Sequence, residues 1–245
     1  MNELILQVED LTVSFDGFKA VDELNFYVEQ DELHCVIGPN GAGKTTLLDM
    51  ICGKTKPTSG KIRFKNYELT QMLEYNITRA GVGRKFQNPS VYEDLTVREN
   101  LEISYPKQRG VLAALFLQHA EHVLDQIRRV AEQIYLGEHL NTKAGQLSHG
   151  QKQWLEIGML LMQDPELLLL DEPVAGMSPR EREQTAELLK RVAKGRSMVV
   201  IEHDMGFVRE IAQKVTVLHQ GKLLAEGSME AVQSDPKVIE VYLGD

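Results

Sequence analysis

Residues 38 to 45 read Gly38-Pro39-Asn40-Gly41-Ala42-Gly43-Lys44-Thr45, and Thr46 follows them. They match the pattern G-x-x-x-x-G-K-[ST], in which glycines let backbone N–H groups turn inward around an anion. The apolar run from Leu33 to Ile37 precedes this loop, and a predicted helix from Lys44 to Cys52 follows it. A helix that begins at the loop adds the positive end of its dipole. The sequence therefore predicts a site for the phosphates of a nucleotide.

The side chains that close the loop suit the same ligand. Lys44 is long enough to reach the β- and γ-phosphates, and the Thr45 hydroxyl is a ligand for Mg²⁺. Thr46 can donate a hydrogen bond to the α-phosphate. Such a loop occurs in kinases, GTPases, motors and transporters, so the rest of the chain must distinguish these classes.

A pair of acids follows an apolar run near residue 170. Leu167 to Leu170 are four consecutive leucines, which suit a strand buried on both faces. Ligands of open α/β sheets lie at the carboxyl ends of the strands. We therefore expect Asp171 to orient Mg²⁺, usually through water, and Glu172 to position or polarise the attacking water.

Two further predicted strands end in polar side chains. Val82 to Phe86 is followed by Gln87, and Met198 to Ile201 is followed by Glu202 and His203. If these strands lie in the same sheet, Gln87 and His203 stand at the edge where a γ-phosphate would bind.

The order of the predicted elements gives the fold class. Short strands are predicted at Leu4 to Val8, Thr12 to Phe15 and Leu24 to Val28, with another at Lys61 to Lys65. Apolar residues at helical spacing run from Leu112 to Ile134, and strands alternate with helices after residue 166. We expect an α/β fold that a mostly helical insert interrupts. The whole chain, 1–245, would be one domain in which 1–90 plus 162–245 form the nucleotide-binding core and 91–161 the helical part.

The segment Leu147-Ser148-His149-Gly150-Gln151 opens a predicted helix from Lys152 to Met162. Locally it reads as a capping box, in which Ser148 caps and Gln151 reaches back. A helix N-terminus with a hydroxyl and a glycine amide also suits an anion. One chain would not readily aim two such helix ends at one phosphate across so long an insert, whereas a second subunit can supply one of them.

Composition and charge exclude several other classes. Lys plus Arg number 27 and Asp plus Glu 36, so the formal net charge is −9, which argues against a nucleic-acid partner. No apolar run approaches the ~20 residues of a bilayer span. Cys35 and Cys52 are too few for a disulfide framework and read as small buried side chains. The N-terminus shows no secretion signal, so we expect a cytoplasmic location.

These motifs, taken in order from Gly38–Thr46 through Gln87, Leu147–Gln151 and Leu167–Glu172 to His203, resemble the ATP-binding subunits of ABC transporters over essentially the whole chain. The resemblance implies a P-loop NTPase (RecA-like) core with an N-terminal antiparallel β subdomain and an inserted helical subdomain. It also implies ATP and Mg²⁺ as ligands and a head-to-tail dimer, either a homodimer or a heterodimer of two ATPase subunits. Each ATP would lie between the phosphate loop of one subunit and Ser148, Gly150 and Gln151 of the other.

The same resemblance assigns roles to individual residues. Glu172 would be the catalytic carboxylate, His203 the γ-phosphate switch, and Gln87 the residue that senses Mg²⁺ and couples to the membrane partner. Thr45, Gln87 and Asp171 would serve the metal, and Phe15 would stack on adenine. The implied partners are integral membrane permease subunits and, indirectly, a periplasmic substrate-binding protein, with the chain at the cytoplasmic face of the inner membrane.

Two positions depart from the commonest family pattern. His149 replaces the usual first glycine of the signature segment, and Ser178 stands where many members have Asp. The first change is tolerable if Ser148 and Gly150 make the contacts. The second leaves open the hydrogen bond that this loop makes across the dimer.

Several stretches are similar to ATPases of the branched-chain amino acid and urea uptake group, among them Gly83–Gln87, Leu95–Asn100 and Ala175–Pro179. The greatest similarity is to the D-type ATPase subunits of urea transporters, which predicts urea or related short amides as cargo. Branched-chain amino acids are the alternative. A soluble ABC-type ATPase acting on DNA or ribosomes, and a kinase, are the competing classes. The first is disfavoured by the single ATPase domain and the acidic charge, and the second leaves Leu147–Gln151 unexplained.

Overall fold

The computed structural model describes residues 3–86, 90–106 and 117–243. Its strands are β1 (Leu4–Phe15), β2 (Phe18–Glu29), β3 (Leu33–Ile37), β4 (Ser59–Phe64), β5 (Tyr67–Glu68), β6 (Val82–Lys85), β7 (Leu167–Asp171), β8 (Ser197–Ile201), β9 (Lys214–His219) and β10 (Lys222–Gly227). Its helices are α1 (Lys44–Ile51), α2 (Glu74–Ala80), α3 (Val97–Ser104), α4 (Leu117–Gln133), α5 (His149–Leu161), α6 (Pro179–Val192), α7 (Met205–Ile211), α8 (Met229–Ser234) and α9 (Pro236–Leu243). The expected α/β class is confirmed.

A six-stranded sheet carries the predicted site, with the strand order β10-β9-β3-β8-β7-β6. The pairs β9–β3, β3–β8 and β8–β7 are parallel, whereas β10 pairs with β9 antiparallel. Every residue of β3, β7 and β8 is buried, as the continuous apolar runs predict for strands covered on both faces. The carboxyl ends of these three strands meet at one edge of the sheet, where Gly38, Glu172 and Glu202 follow them.

A second, four-stranded sheet has the order β2-β1-β4-β5 and is antiparallel. The sequence predicts two strands at Leu4–Val8 and Thr12–Phe15, but β1 runs through both. The backbone of Asp10 is left-handed, with φ 48°, and the register with β2 shifts between Val8 and Leu11. A β-bulge therefore absorbs the polar pair Glu9-Asp10 without ending the strand.

The chain divides into two compact units, which are described separately. The first comprises Met1–Arg84, Glu166–Pro173 and Leu189–Asp245, and the second Lys85–Pro165 and Val174–Leu188. The first holds most of both sheets and a continuous apolar core. The subdomain boundaries predicted from the sequence stay a prediction.

The second unit is mostly helical. Ile127, Val130 and Ile134 of the predicted apolar stripe are buried, whereas Leu124 of the same stripe is exposed. Leu112–Phe116 lie outside the described residues. Trp154 is buried and its indole Nε1 donates to Thr185 Oγ1 at 2.8 Å. Within the described ranges, no helix is both long and apolar enough to cross a bilayer.

Replacement of a leucine in the central strand tests this core. Leu169 is fully buried in β7, so Leu169→Ala should lower the free energy of unfolding by about 2–5 kcal/mol through lost burial and the cavity left behind. Leu223 on β10 is 43% exposed, and Leu223→Ala should change it by less than about 0.5 kcal/mol. Urea unfolding followed by circular dichroism measures both, and equal losses would contradict the assignment of β7 to the core.

Candidate active site

The phosphate loop runs between β3 and α1. Gly38 has φ 151° and Gly43 has φ 99°, and a Cβ atom added to them would lie 2.2 Å from the carbonyl oxygen of Leu218 and 2.5 Å from that of Ala20. Only glycine fits at these two positions. Gly43 is also the N-cap of α1 and supplies no side-chain cap, so the first N–H groups of this helix are available to an anion.

The side chain of Lys44 folds back onto the start of the phosphate loop. Its ammonium donates to the carbonyl oxygens of Gly38 at 2.7 Å and Pro39 at 3.0 Å. Burial lowers the pKa of Lys44, while the carboxylates of Glu172 and Asp171 oppose that shift. The structure therefore places the cation and both acids of the predicted site in electrostatic contact.

Asp171 ends β7 and is buried. Burial raises the pKa of the Asp171 carboxyl group, and the nearby charge of Glu172 raises it as well. The Arg84 guanidinium and a hydrogen bond with Thr45 lower that pKa. Thr45 on α1 and Asp171 on β7, which the sequence assigns to one metal site, thus meet.

Glu172 leaves the strand in a left-handed conformation with φ 46°, an uncommon one for a residue other than glycine. Its N–H donates to Ile201 O of β8 at 3.0 Å, which holds the turn. His203 follows β8 and is exposed, with Nδ1 3.7 Å from Glu172 Oε1. The structure brings these two predicted residues together. Gln87 lies outside the described residues.

Phe15 lies at the exposed tip of the β1–β2 hairpin, opposite Phe18 in the strand register. Residues that face each other in an antiparallel pair share one side of the sheet. The hairpin therefore presents two exposed aromatic rings beside the turn Asp16-Gly17, of which the sequence singled out only Phe15.

Arg84 is a residue of this region that the sequence interpretation missed. It lies on β6 with its side chain only 5% exposed. One guanidinium nitrogen is 2.5 Å from Asp49 Oδ1 and the other is 3.7 Å from Asp171 Oδ2. A charged residue in an otherwise buried strand needs a partner, and that was the available signal.

The second unit contains the segment around Ser148. Ser148 caps α5, its hydroxyl accepts from Gln151 N at 3.2 Å, and Gln151 Oε1 accepts from Ser148 N at 2.9 Å. The predicted capping box is thus present. Gly150 is buried in the first turn of α5.

A second missed residue, Glu181, connects Ser178, one of the two positions that depart from the family pattern, with Ser148, the neighbour of the other. Its Oε2 accepts from Ser178 N at 2.9 Å and from Ser178 Oγ at 2.7 Å, while its Oε1 accepts from Ser148 Oγ at 3.1 Å. His149 Nε2 lies 3.1 Å from Ala175 O in the same loop as Ser178. Hydrogen bonds from Ser178 are the main cause that lowers the pKa of Glu181.

No group of three or more His, Cys, Asp or Glu side chains that would hold a metal unaided occurs in the part of the chain that the structure describes. Mg²⁺ in nucleotide sites is held by one or two carboxylates together with waters and substrate phosphates. The Thr45–Asp171 pair beside the phosphate loop is a donor set of that kind, so it fits Mg²⁺ that arrives with a nucleotide.

Sequence comparison identifies the class. The family profile described as "ABC transporter" matches residues 21–175, and the profile described as "Branched-chain amino acid ATP-binding cassette transporter" matches residues 222–245. The chain belongs to the ABC transporter family of ATP-binding subunits. It is an ATPase that couples ATP hydrolysis to transport.

Full-length relatives give a more particular likeness. The chain is 36% identical over 254 residues to the high-affinity branched-chain amino acid transport ATP-binding protein BraF of Pseudomonas aeruginosa, with 100% of both chains covered. It is 35% identical to LivG of Escherichia coli, which carries the same description, again over 100% of both.

Solved structures of ATP-binding cassettes share the fold. MJ1267 in its ADP conformation has a TM-score of 0.86 at 33% identity and 100% coverage of both chains. A nucleotide-free cassette has a TM-score of 0.85 at 32% identity, with 99% of this chain and 100% of that chain covered. These likenesses confirm the expected P-loop NTPase fold.

A double-mutant cycle tests the contact between Gly150 and Glu181. A Cβ atom on Gly150 would lie 2.3 Å from Glu181 Oε1, so Gly150→Ala should displace the carboxylate from its serine partners. Each single change, Gly150→Ala or Glu181→Ala, should lower the free energy of unfolding by about 1 kcal/mol. The double variant should be no less stable than Glu181→Ala alone, because the displaced group is then absent.

Thermal unfolding at neutral pH and in acid provides the measurement. Because the folded pKa of Glu181 is lowered, its contribution is present above the unfolded pKa and disappears as the pH falls through the folded pKa. The loss caused by Glu181→Ala should therefore shrink in acid. Additive single losses that do not change with pH would contradict the contact.

Proposed function

We propose that this chain is the ATPase subunit of an importer for branched-chain amino acids. The supporting observation is the pairing of a C-terminal match to the branched-chain cassette profile with full-length relatives that are named for branched-chain amino acid transport. Urea, the main expectation from the sequence, finds no support among these names. Branched-chain amino acids, the alternative expectation from the sequence, fit these names better.

We also propose that ATP binds between two ATPase subunits. The phosphate loop, Lys44, Asp171 and Glu172 form one half of a nucleotide site in the first unit. In the second unit, Ser148, Gly150 and Gln151 lie at another helix N-terminus, that of α5. In a head-to-tail dimer, each phosphate loop would face the Ser148 segment of the neighbouring subunit. That neighbour is a second copy or a related ATPase.

A role in hydrolysis is proposed for each of these side chains. Lys44 and the N–H groups at the start of α1 bind the phosphates, and Thr46 donates to the α-phosphate. Glu172, fixed by its backbone bond to β8, orients the attacking water and accepts its proton. His203 is near enough to Glu172 to contact the γ-phosphate beside it. Gln87 is proposed as the sensor that passes nucleotide occupancy to the membrane partner.

The proposed metal residues are Thr45, Asp171 and Gln87. Bound Mg²⁺ neutralises charge on the β- and γ-phosphate oxygens. Thr45 supplies a hydroxyl oxygen from α1, and Asp171 supplies a carboxylate from the end of β7. Phe15 is proposed to stack on adenine, with Phe18 beside it on the same side of the hairpin.

The proposed assembly has the chain at the cytoplasmic face of the membrane, held by permease subunits and served indirectly by a periplasmic binding protein. Family membership supports this placement. Within the chain, 1–90 plus 162–245 are proposed as the nucleotide-binding core and 91–161 as the helical subdomain.

Removal of the proposed base tests the mechanism. Glu172→Gln keeps the size and polarity of the side chain but cannot accept a proton, so ATP turnover should fall at least about 100-fold. ATP-bound dimers should accumulate, since closure no longer ends in hydrolysis. Steady-state phosphate release and size-exclusion chromatography with ATP measure the two effects.

Ser148→Arg provides the control for the dimer. Combined with Glu172→Gln, it should keep the protein monomeric with ATP while leaving binding of the nucleotide by the monomer intact. Turnover retained by Glu172→Gln would contradict its role as base. Turnover by a lone protomer at a rate independent of protein concentration would contradict the shared site.

The cargo is tested in the assembled transporter. The chain is co-purified with its permease subunits, reconstituted in vesicles and supplied with its substrate-binding protein. Leucine, isoleucine or valine should stimulate ATP turnover several-fold, and urea should not. Stimulation by urea alone would reverse the assignment in favour of the urea transporter.

A further inference from the structure

Arg84 links the two elements on which the proposed Mg²⁺ site is built. Thr45 and Asp49 lie on α1, whereas Asp171 ends β7. Arg84, on β6, has one nitrogen 2.5 Å from Asp49 Oδ1 and the other 3.7 Å from Asp171 Oδ2. The guanidinium therefore contacts a carboxylate on each of these elements.

The chemistry of arginine suits such a bridge. A planar guanidinium presents five donors in fixed directions and keeps its charge when buried. The Arg84 side chain is 5% exposed and Asp171 is 3% exposed as a residue, so water screens their contact little. The short contact to Asp49 fixes the guanidinium, and the second nitrogen then faces Asp171.

Binding of Mg²⁺ depends on the separation between α1 and the end of β7. The octahedral shell of the ion tolerates little distortion, so the Thr45 hydroxyl and the Asp171 carboxylate, which would hold the ion directly or through water, must be kept at a fixed separation. The Thr45 hydroxyl moves with α1 and the Asp171 carboxylate moves with β7. A bridge between Asp49 and Asp171 ties these two donors together.

We propose that Arg84 is a positioning residue of the ATPase site, which holds α1 and the end of β7 at the separation required by a nucleotide with its bound Mg²⁺. The inference rests on the proposed function, specifically on the metal residues Thr45 and Asp171. Arg84 touches neither the nucleotide nor the metal. It acts through Asp49 and Asp171, in the way that residues behind metal ligands set the geometry of those ligands.

The test measures binding of the non-hydrolysable ATP analogue AMP-PNP to the full chain by calorimetry, first in EDTA and then at increasing Mg²⁺. For Arg84→Met, affinity in EDTA should stay within about two-fold, while the Mg²⁺ concentration that gives half of the affinity gain should rise about ten-fold or more. Arg84→Lys keeps the charge but not the two-sided geometry, so its rise should be intermediate.

Two further variants separate anchoring from charge. Asp49→Asn removes the short anchor but leaves the arginine beside Asp171, and it should also raise the required Mg²⁺ several-fold. The side chain of Arg63 on β4 is 44% exposed, and one of its guanidinium nitrogens lies 3.8 Å from Glu9 Oε2. Arg63→Met is therefore the matched control and should change neither measurement.

Each outcome bears on the inference. Removal of a positive charge beside a metal site should by itself lower the Mg²⁺ requirement. A lower or unchanged requirement in Arg84→Met would therefore overturn the positioning role, as would equal losses of affinity in EDTA and in Mg²⁺. If Arg84→Met does not fold, an unchanged requirement in both Arg84→Lys and Asp49→Asn overturns it. A wild-type protein whose affinity ignores Mg²⁺ would instead contradict the proposed metal site.

Discussion

Asp171 is a carboxylate buried at the end of a strand made of leucine, and a buried charge is tolerated only where neighbouring groups compensate it. Burial raises the pKa of Asp171, and the compensation comes from Arg84 and Thr45, which belong to β6 and α1. The requirement to balance this one group therefore joins three elements at the carboxyl edge of the sheet. The charges of Asp171 and Glu172 also act on Lys44 of the phosphate loop, so the phosphate-binding lysine and the two acids interact electrostatically.

The sequence predicts those parts of the site that depend on local chemistry. The glycines of the loop, the capping box at Ser148 and the acids after the leucine strand each follow from neighbouring residues, and the structure contains the predicted strand, cap and turn. Arg84 was missed because its partner Asp49 lies 35 residues away in sequence, and the bond of Glu181 to Ser148 spans 33 residues. Periodicity and local spacing do not report such long-range pairs. The contact of Glu181 with Ser178, three residues earlier, has the S-x-x-E spacing of a capping box and was a local signal that the sequence offered. The single strand β1 was predicted as two strands, because the polar residues of the bulge at Asp10 resemble those of a turn.

The residues of the nucleotide site do not identify the cargo. The side chains that define the site serve a nucleotide, whose phosphates are common to every importer of the family. Nothing in that chemistry distinguishes urea from leucine, because one fold hosts many functions and these side chains suit a nucleotide. The proposal of branched-chain amino acids therefore rests on the match at residues 222–245, which lies outside the phosphate loop and the acidic strand end, and on the names of full-length relatives.

The two departures from the family pattern become understandable when they are considered together. His149 is 3.1 Å from the carbonyl oxygen of Ala175, and Ser178, three residues farther on, donates to Glu181. Glu181 in turn accepts from Ser148, so the signature segment and the loop before α6 are tied by one carboxylate. A glycine at 149 would lack the ring that contacts Ala175, and an Asp at 178 would place a second negative charge against Glu181. The histidine and the serine are thus compatible with the glutamate and with each other.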